Sequence, residues 1–231
     1  MAPVVRPTLE AEYPHDPEAF TQGLLVADGA LYESTGLYGQ SSLRRVDLES
    51  GRVLDSLNVG RAYFAEGLAA LDGRLYQLTW REGAVFVYDQ TNLAPLDTLT
   101  ITGEGWGLTE MDGQLVLSDG SDRLRWLDPA TLATVREVWV RDGARRVDQL
   151  NELEVIDGRI YANVWQTGRI AVIDPTDGAV VQWIDLADLA ASQRAQGRDV
   201  LNGIAFEPNS GRLLITGKLW PTLYAVALPD V

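Results

Sequence analysis

The sequence predicts an all-β protein, a five-bladed β-propeller, because one unit of short strands and turns occurs five times along the 231-residue chain. Each unit contains one turn dipeptide, and the five are Asp28-Gly29, Asp72-Gly73, Asp112-Gly113, Asp157-Gly158 and Ser210-Gly211. These turns follow one another at 44, 40, 45 and 53 residues, a period typical of a four-stranded propeller blade. A short apolar segment follows every turn, from ALYEST in the first unit to RLLITGK in the last.

Both ends of the chain are predicted to close the ring. The fifth unit has only three strand-like segments (GIAFEP, RLLITGK and TLYAVAL), whereas the other units have four. Segment TLEAEY at 8–13 alternates as a strand does and supplies the missing fourth, which removes the open edge. The prediction is thus a single domain over 1–231, with a loose arm at 1–7 and blades at roughly 20–60, 64–103, 105–141, 150–186 and 201–228 plus 8–13. Between the last two blades, ADLAASQRAQGRDV predicts a short helix.

Composition narrows the classes of function. A net charge of −14 argues against nucleic acid and anionic membranes as partners, and we expect a monomer. With no Cys and one His, thiolate chemistry is excluded and a zinc site is disfavoured, so we expect no cofactor and no metal. The N-terminal segment lacks the apolar core of a signal peptide, and no segment is long enough to span a bilayer. Two cellular locations are compatible with the sequence: the cytoplasm, or an exported location if a signal peptide was removed.

The repeat itself predicts a site. The position just before the repeat glycine, here called the register position, starts the innermost strand of each blade, so its five side chains should surround one mouth of the central channel. They are Gln22, Glu66, Trp106, Asn151 and Asn202. A second ring lies eight residues beyond each turn, at Gly36, Trp80, Gly120, Trp165 and Lys218. Antiparallel pairing brings the end of the second strand beside the start of the first, so both rings face the same side. A lone Lys218 facing the channel mouth needs a partner, and Glu66 is the nearest candidate.

Other polar and aromatic residues are interpreted as structural. His15 precedes Asp16-Pro17 and is expected in a turn, while Glu152 and Glu154 are expected to hydrogen-bond neighbouring loops. Three tryptophans on third and fourth strands are expected to pack between blades, namely Trp126, Trp139 and Trp183.

Several runs of the sequence resemble one family. PHDPEAFTQGL, YFAEGLA, GEGWGLT, LNELEVIDGRIYANVW and LLITGKLWPTLY are similar, in this order, to the plant-type and bacterial glutaminyl cyclases, and the match extends from about Tyr13 to Leu228. The resemblance implies a five-bladed propeller that cyclises the N-terminal glutamine of peptides or proteins to pyroglutamate and releases ammonia without a metal. Its motifs carry over onto Phe20, Gln22, Phe64, Glu66, Trp80, Trp106, Asn151, Trp165 and Lys218.

The implied chemistry assigns roles. One carboxyl group, Glu66, would shuttle the proton from the attacking amine to the leaving nitrogen. Donors for the developing oxyanion would come from Lys218, Gln22, the Asn151 amide or an indole N–H. Residues expected to bind and fold the glutamine side chain are Phe20, Phe64, Trp80, Trp106, Trp165 and Asn202.

Two alternatives stay open. A non-catalytic propeller would bind peptides or a protein at the same mouth, and would not need a carboxyl group and an ammonium together. A metal-dependent hydrolase of the lactonase type is disfavoured. Propellers of that type have six blades and more than one carboxylate at the channel, whereas this sequence has five repeats and one carboxylate at the register position.

Overall fold

A computed structural model describes residues 1–227 and has five main antiparallel sheets, which confirms the predicted five-bladed, all-β fold. Two strands precede the first blade: β1 (Val4–Val5) and β2 (Leu9–Pro14). Blade one comprises β3 (Thr21–Ala27), β4 (Ala30–Thr35), β5 (Ser42–Val46) and β6 (Val53–Asn58). Blade two comprises β7 (Ala65–Leu71), β8 (Arg74–Thr79), β9 (Ala84–Asp89) and β10 (Pro95–Thr100).

The second half of the chain repeats this plan. Blade three comprises β11 (Leu108–Met111), β12 (Gln114–Ser118), β13 (Arg123–Leu127) and β14 (Thr134–Trp139), and the hairpin β15 (Arg141–Asp142) and β16 (Arg145–Arg146) follows it. Blade four comprises β17 (Leu150–Ile156), β18 (Arg159–Val164), β19 (Arg169–Ile173) and β20 (Val180–Asp185). The predicted short helix follows as α1 (Ala187–Ala195). Blade five contains β21 (Leu201–Glu207), β22 (Arg212–Gly217) and β23 (Thr222–Ala227), and the predicted strand end at Leu228 lies outside the described residues.

The ring closes as predicted. Strand β2 pairs antiparallel with β23, with Tyr13 opposite Leu223, and so completes blade five from the N-terminal end of the chain. The first strand of each blade is innermost, and β3, β7, β11, β17 and β21 contact one another in a closed cycle. The pairing covers the outer edge of β23 and joins the two ends of the described chain in one blade.

The N-terminal segment differs from its prediction as a loose arm. Val4 and Val5 form β1, which pairs in parallel with β20 opposite Trp183 and Ile184 and gives blade four a fifth strand. Val5 also packs against the core between blades four and five. A two-residue strand carries no periodic signal in the sequence, but the outer edge of β20 offers it unpaired backbone groups.

Apolar cores lie between neighbouring blades. One of them joins Leu124 and Trp126 of blade three to Ile160 of blade four, and Trp183 packs against its side. Burial of each such side chain contributes roughly 1.5–3 kcal/mol. Trp126 and Trp183 therefore pack as predicted, but the prediction for Trp139 is wrong: it ends the outermost strand of blade three and is 51% exposed.

Glycines follow the register position because the innermost strands approach too closely for a side chain. A Cβ atom on Gly67 would lie 2.5 Å from the Leu108 backbone nitrogen, and one on Gly107 would overlap the Asn151 carbonyl oxygen. Blade four has Glu152 at this position instead. Its buried carboxyl group accepts hydrogen bonds from the backbone N–H groups of Leu24 (3.2 Å) and Ile204 (2.8 Å).

Two structural expectations need correction. Glu152 and Glu154 bind backbone amides of neighbouring innermost strands rather than loops; Glu154 accepts the Phe206 N–H at 2.9 Å. His15 lies just before the turn at 17–18 rather than in it: it is buried, 3.0 Å from Glu33 Oε1, and its Nδ1 is 2.7 Å from the Trp220 carbonyl oxygen. Burial alone would lower the pKa of His15, but the neighbouring Glu33 outweighs this effect and raises that pKa. The His15–Glu33 contact connects blade five, which β2 completes, to β4 of blade one. Among residues 1–227, no helix is long and apolar enough to cross a membrane.

Candidate active site

A β-bulge lies at the start of four of the innermost strands. In blade two the pairing of β7 with β8 shifts between Ala65 and Leu68, so that Glu66 falls within the irregularity. The same shift occurs at the register positions of blades one, four and five. A bulge redirects a side chain out of the regular alternation, and bulges are frequent beside active sites.

The bulges of blades one, two and four border a cavity of about 490 Å³ at one mouth of the channel. Its lining residues are Phe20, Gln22, Phe64, Glu66, Trp80, Arg81, Glu104, Trp106, Gln149, Asn151, Trp165 and Lys218. Every predicted site residue except Asn202 is among them. The two rings of the repeat thus meet at one place.

Asn202 lies behind the cavity wall. Its buried carboxamide donates hydrogen bonds to the Thr21 carbonyl oxygen (3.0 Å) and to Gln22 Oε1 (3.3 Å). Gln22 in turn donates from Nε2 to Glu66 Oε1 at 2.9 Å. Asn202 therefore orients Gln22, and Gln22 orients Glu66.

Glu66 is the carboxyl group at the centre of the site and is only 5% exposed. Burial raises its pKa well above the ordinary value, Lys218 opposes this, and Glu104 and Glu82 add to it. Burial likewise lowers the pKa of Lys218, against the attraction of Glu66 and Asp199. Both shifts favour the neutral forms, which brings the pKa values of an acid and a base towards neutrality.

The expected Glu66–Lys218 pairing is an electrostatic attraction rather than a direct ion pair. Within the described residues, Lys218 has no side-chain hydrogen bond or salt bridge, and its Nζ lies 4.8 Å from the centre of the Phe20 ring. A buried ammonium with an aromatic neighbour and no bound anion can donate to a ligand.

Aromatic rings form the walls. Phe64 makes edge contacts with Phe20 (centroids 6.1 Å apart), Trp80 (5.7 Å) and Tyr38 (5.4 Å). Trp106 and Trp165 make a similar contact at 5.6 Å. Tyr38 was not among the site residues predicted from the sequence.

The glycines among the second set of repeat positions leave space for two aromatic side chains, Phe64 and Trp106. A Cβ atom on Gly36 would overlap the Phe64 ring, and one on Gly120 would lie 2.7 Å from Trp106 Cζ2. Hence three positions of the second ring place Trp80, Trp165 and Lys218 in the cavity. The other two positions are glycines, which leave room for the Phe64 and Trp106 side chains.

Glu104 is a site residue that the sequence reasoning missed. It accepts hydrogen bonds from the indole N–H groups of Trp80 (2.8 Å) and Trp106 (3.0 Å) and from Arg81 Nε (3.1 Å), and the Arg81 guanidinium stacks on Trp80. Partial burial opposes ionisation, but the Trp106, Trp80 and Arg81 donors outweigh it and lower the pKa of Glu104. Glu104 therefore holds two walls of the cavity in place as a carboxylate.

Two further lining residues, Arg81 and Gln149, were also absent from the predicted set, and Gln149 shares one repeat position with Glu104. That position lies two residues before the register position and is occupied by Phe20, Phe64, Glu104, Gln149 and Val200. In blades one, two, four and five its backbone carbonyl accepts the N–H of the second-ring residue, as in Trp80 N to Phe64 O and Trp165 N to Gln149 O, at 2.9 and 2.8 Å. Blade three differs, because the Gly120 N–H is donated to the Leu150 carbonyl oxygen (3.2 Å). Extending the register to this third ring finds Glu104 and Gln149.

Asn151 presents an unsatisfied group. Its Oδ1 is buried and has no hydrogen-bond partner within residues 1–227. An unpaired buried acceptor costs about 1–3 kcal/mol, so this oxygen is suited to an N–H of a ligand. The described residues contain no group of three or more His, Cys, Asp or Glu side chains arranged to hold a metal ion.

Fold and site together define a five-bladed propeller with a buried acid in an aromatic cavity. The Kuenenia stuttgartiensis hydrazine synthase structure is similar in fold alone, with a TM-score of 0.52 and 17% identity over 88% of this chain and 56% of that one.

Nearer relatives identify the family. The sequence model of the glutamine cyclotransferase family matches residues 1–228, and the chain belongs to that family. It is 45% identical over 223 residues to a glutaminyl-peptide cyclotransferase of Arabidopsis thaliana, covering 94% of this chain and 70% of the relative. The crystal structure of Myxococcus xanthus glutaminyl cyclase superposes with a TM-score of 0.93 at 42% identity over 100% of both chains. The resemblance seen in the sequence is thereby confirmed.

Proposed function

We propose that this protein is a glutaminyl-peptide cyclotransferase, which converts the N-terminal glutamine of peptides or proteins to pyroglutamate and releases ammonia. The observation that carries the proposal is the buried Glu66 carboxyl group in the aromatic cavity, in a chain that belongs to the glutamine cyclotransferase family. A metal is not required in this account, and the protein acts as a monomer. Nucleic acid is not a partner, which the net charge of −14 supports.

The cavity first has to fold the substrate. Cyclisation requires the α-amine to reach the γ-carboxamide carbon of the same residue, a conformation that the flexible glutamine side chain seldom adopts in water. Walls formed by Phe64 and the Trp106–Trp165 pair enclose the methylene groups and remove alternative rotamers. The unpaired Asn151 Oδ1 accepts an N–H of the substrate's amine or carboxamide.

Glu66 then moves one proton. The neutral α-amine attacks the carboxamide carbon, a C–N bond forms, and the new ring nitrogen carries a surplus proton. The Glu66 carboxylate takes this proton and delivers it to the former amide nitrogen, the C–N bond to that nitrogen breaks, and NH₃ leaves. Glu66 ends as a carboxylate again. Its raised pKa suits both halves of the transfer near neutral pH.

The oxyanion of the tetrahedral intermediate needs donors that are not already engaged. The indole N–H groups of Trp80 and Trp106 are bound to Glu104, and Gln22 donates to Glu66. Among the described residues, the Asn151 amide, the Trp165 indole N–H and the Lys218 ammonium line the cavity and donate no hydrogen bond elsewhere. Lys218 has the leading role among them, because it carries a positive charge and burial strengthens its interaction with a developing negative charge.

A direct assay tests the activity. The purified protein is incubated with a tripeptide that begins with glutamine, before and after EDTA treatment, and ammonia and the mass loss of one NH₃ are followed. Turnover that EDTA leaves unchanged is expected. A folded protein that binds glutamine peptides without turnover would support the non-catalytic propeller, and loss of turnover in EDTA that added metal restores would contradict metal independence.

A further inference from the structure

A second cleft adjoins the active-site cavity. It has a volume of about 440 Å³ and shares two lining residues, Gln149 and Trp165, with the cavity. Its other walls come from the β15–β16 hairpin, the start of β19 and the N-terminal segment. When the first residue of a peptide fills the cavity, the residues that follow it have to leave the cavity. This cleft offers them one continuous route.

Gln149 lies at the junction between the two spaces. Its backbone is left-handed, with φ +62°, a conformation that costs a non-glycine residue about 1–3 kcal/mol. Backbone hydrogen bonds hold it there, from its N–H to the Gly120 carbonyl (2.8 Å) and from the Trp165 N–H to its own carbonyl (2.8 Å). In the part of the chain that the structure describes, its side-chain carboxamide has no hydrogen-bond partner. Strain of this kind is concentrated at ligand-binding positions.

The charges of the cleft that are not already paired are mostly positive. Among residues 1–227, Arg145, Arg169 and Asp148 line the cleft without an ion-pair partner. The other charged side chains are engaged. Arg146 binds Asp122 at 3.0 Å, and Asp142 accepts the Ala2 N–H and the Trp183 indole N–H. Two unpaired guanidinium groups against one carboxylate stand out on a chain with a net charge of −14.

A competing route has the opposite charge. A cleft of about 360 Å³ meets the cavity at Glu104 and is lined also by Asp119, Asp122, Arg123 and the exposed Trp139. Its arginine is committed, because Arg123 pairs with Asp119 (3.2 Å) and Glu137 (3.0 Å). Its carboxylates are also paired, since Asp119 binds Arg123, Asp122 binds Arg146 and Glu104 binds Arg81. The two clefts differ in total lining charge: three carboxylates against one arginine give −2 here, whereas three arginines against two aspartates give +1 in the cleft beside Gln149. The charge preference of the enzyme therefore reports which route the peptide takes.

We propose that the residues after the N-terminal glutamine leave through the cleft beside Gln149, and that an acidic residue at the second or third position is favoured over lysine. The Gln149 carboxamide binds the substrate backbone at the junction, and Arg145 and Arg169 attract the acidic side chain. This inference rests on the proposed cyclase function and adds its substrate class.

The first test compares kcat/KM for Gln-Glu-Ala, Gln-Ala-Ala and Gln-Lys-Ala. One exposed ion pair changes an equilibrium by about two- to fivefold, so the ratio of the glutamate to the lysine peptide is expected to be in that range at low salt. It falls towards one at high ionic strength and in Arg145→Ala/Arg169→Ala. The control, Arg52→Ala/Arg74→Ala, removes the same charge from exposed positions on blades one and two that line neither cleft and keeps the wild-type ratio.

A second variant tests the junction. Gln149→Gly removes the carboxamide and accepts the left-handed backbone without strain. The ratio of kcat/KM for Gln-Ala-Ala to that for glutamine amide, which has no second residue, is expected to fall in this variant through a higher KM for the tripeptide.

The outcomes separate the two proposals. A ratio of one at low salt, or a preference for lysine as expected of the route along Glu104, overturns the subsite while turnover of glutamine amide leaves the cyclase function standing. If the wild-type protein turns over neither glutamine amide nor any tripeptide, the cyclase function itself fails.

Discussion

The Gln22 carboxamide donates a hydrogen bond of 2.9 Å to the Glu66 carboxyl group, and these two residues occupy equivalent positions in adjacent blades. The repeat has thus produced a donor and an acid that face each other across a blade boundary. Asn202, at the same position of blade five, supports Gln22 from the other side. Three copies of one repeat position therefore form a chain of hydrogen bonds that ends on the buried Glu66 carboxyl group.

Removing the Gln22 donor is expected to raise the pKa of Glu66 further. A hydrogen bond donated to a carboxylate favours its charged form, so Gln22→Leu makes ionisation of Glu66 harder. The acidic limb of the kcat–pH profile moves to higher pH, and kcat falls by about tenfold because the carboxyl group is less well oriented. Steady-state profiles of both proteins measure this. An unchanged limb would show that Gln22 has no influence on the group that titrates.

The kcat–pH profile is expected to be bell-shaped and narrow. Glu66 must be ionised, and its raised pKa places the acidic limb above the ordinary glutamate value of about 4.3. Lys218 must be protonated, and its lowered pKa places the alkaline limb below the ordinary lysine value of about 10.4. Lys218→Arg, which stays charged to higher pH, loses the alkaline limb at reduced kcat. An alkaline limb unaltered by that substitution contradicts the role of Lys218.

Glu104→Ala is expected to loosen the aromatic walls. It leaves the indole N–H groups of Trp80 and Trp106 without their acceptor, which costs about 1–3 kcal/mol for each one that stays buried. We predict a lower melting temperature, altered tryptophan fluorescence and a higher KM for glutamine amide. Glu104→Gln retains one acceptor oxygen and has a smaller effect on all three. Equal KM values for both variants and the wild type would rule out this positioning role.

Glu154 gives a prediction for stability. Burial raises its pKa to about 8, above the value of about 4.3 in an unfolded chain. The folded state therefore holds the proton more tightly, so the contribution of Glu154 to stability is present below about pH 4 and is lost as the pH rises towards 8. Glu154→Gln keeps an acceptor for the Phe206 N–H and is expected to stabilise the fold at pH 8 by up to about 4–5 kcal/mol, since each pKa unit corresponds to about 1.36 kcal/mol, with no gain at pH 4. Denaturant unfolding at the two pH values measures the difference.

The repeat is the reason why so much of this molecule follows from its sequence. A glycine or its substitute at one position of each unit, followed by a turn five residues later in four units and seven residues later in the fifth, gives both the blade count and the two rings. The structure places Glu66, Asn151 and Lys218 around one cavity, as the register requires. Pairing of Val4–Val5 with β20 could not be predicted, because two residues contain no alternation to recognise.

Side-chain partnerships were also beyond the sequence. That Glu104 would receive both indole N–H groups depends on rotamers that packing decides, and Trp139 is exposed because its strand is the outermost of blade three. The position of Glu104 in the repeat was nevertheless visible in the sequence. It lies two residues before Trp106, as Phe64 lies two residues before Glu66.

The most direct test of the account is the kcat of Glu66→Gln on a glutamine-initiated tripeptide, measured by ammonia release after EDTA treatment. The substitution keeps the shape of the side chain but cannot carry the proton, so kcat is expected to fall by about 10²–10⁴-fold. The matched control Glu12→Gln, at an exposed position on β2, retains wild-type kcat. Full activity in a folded Glu66→Gln protein would contradict the proton shuttle.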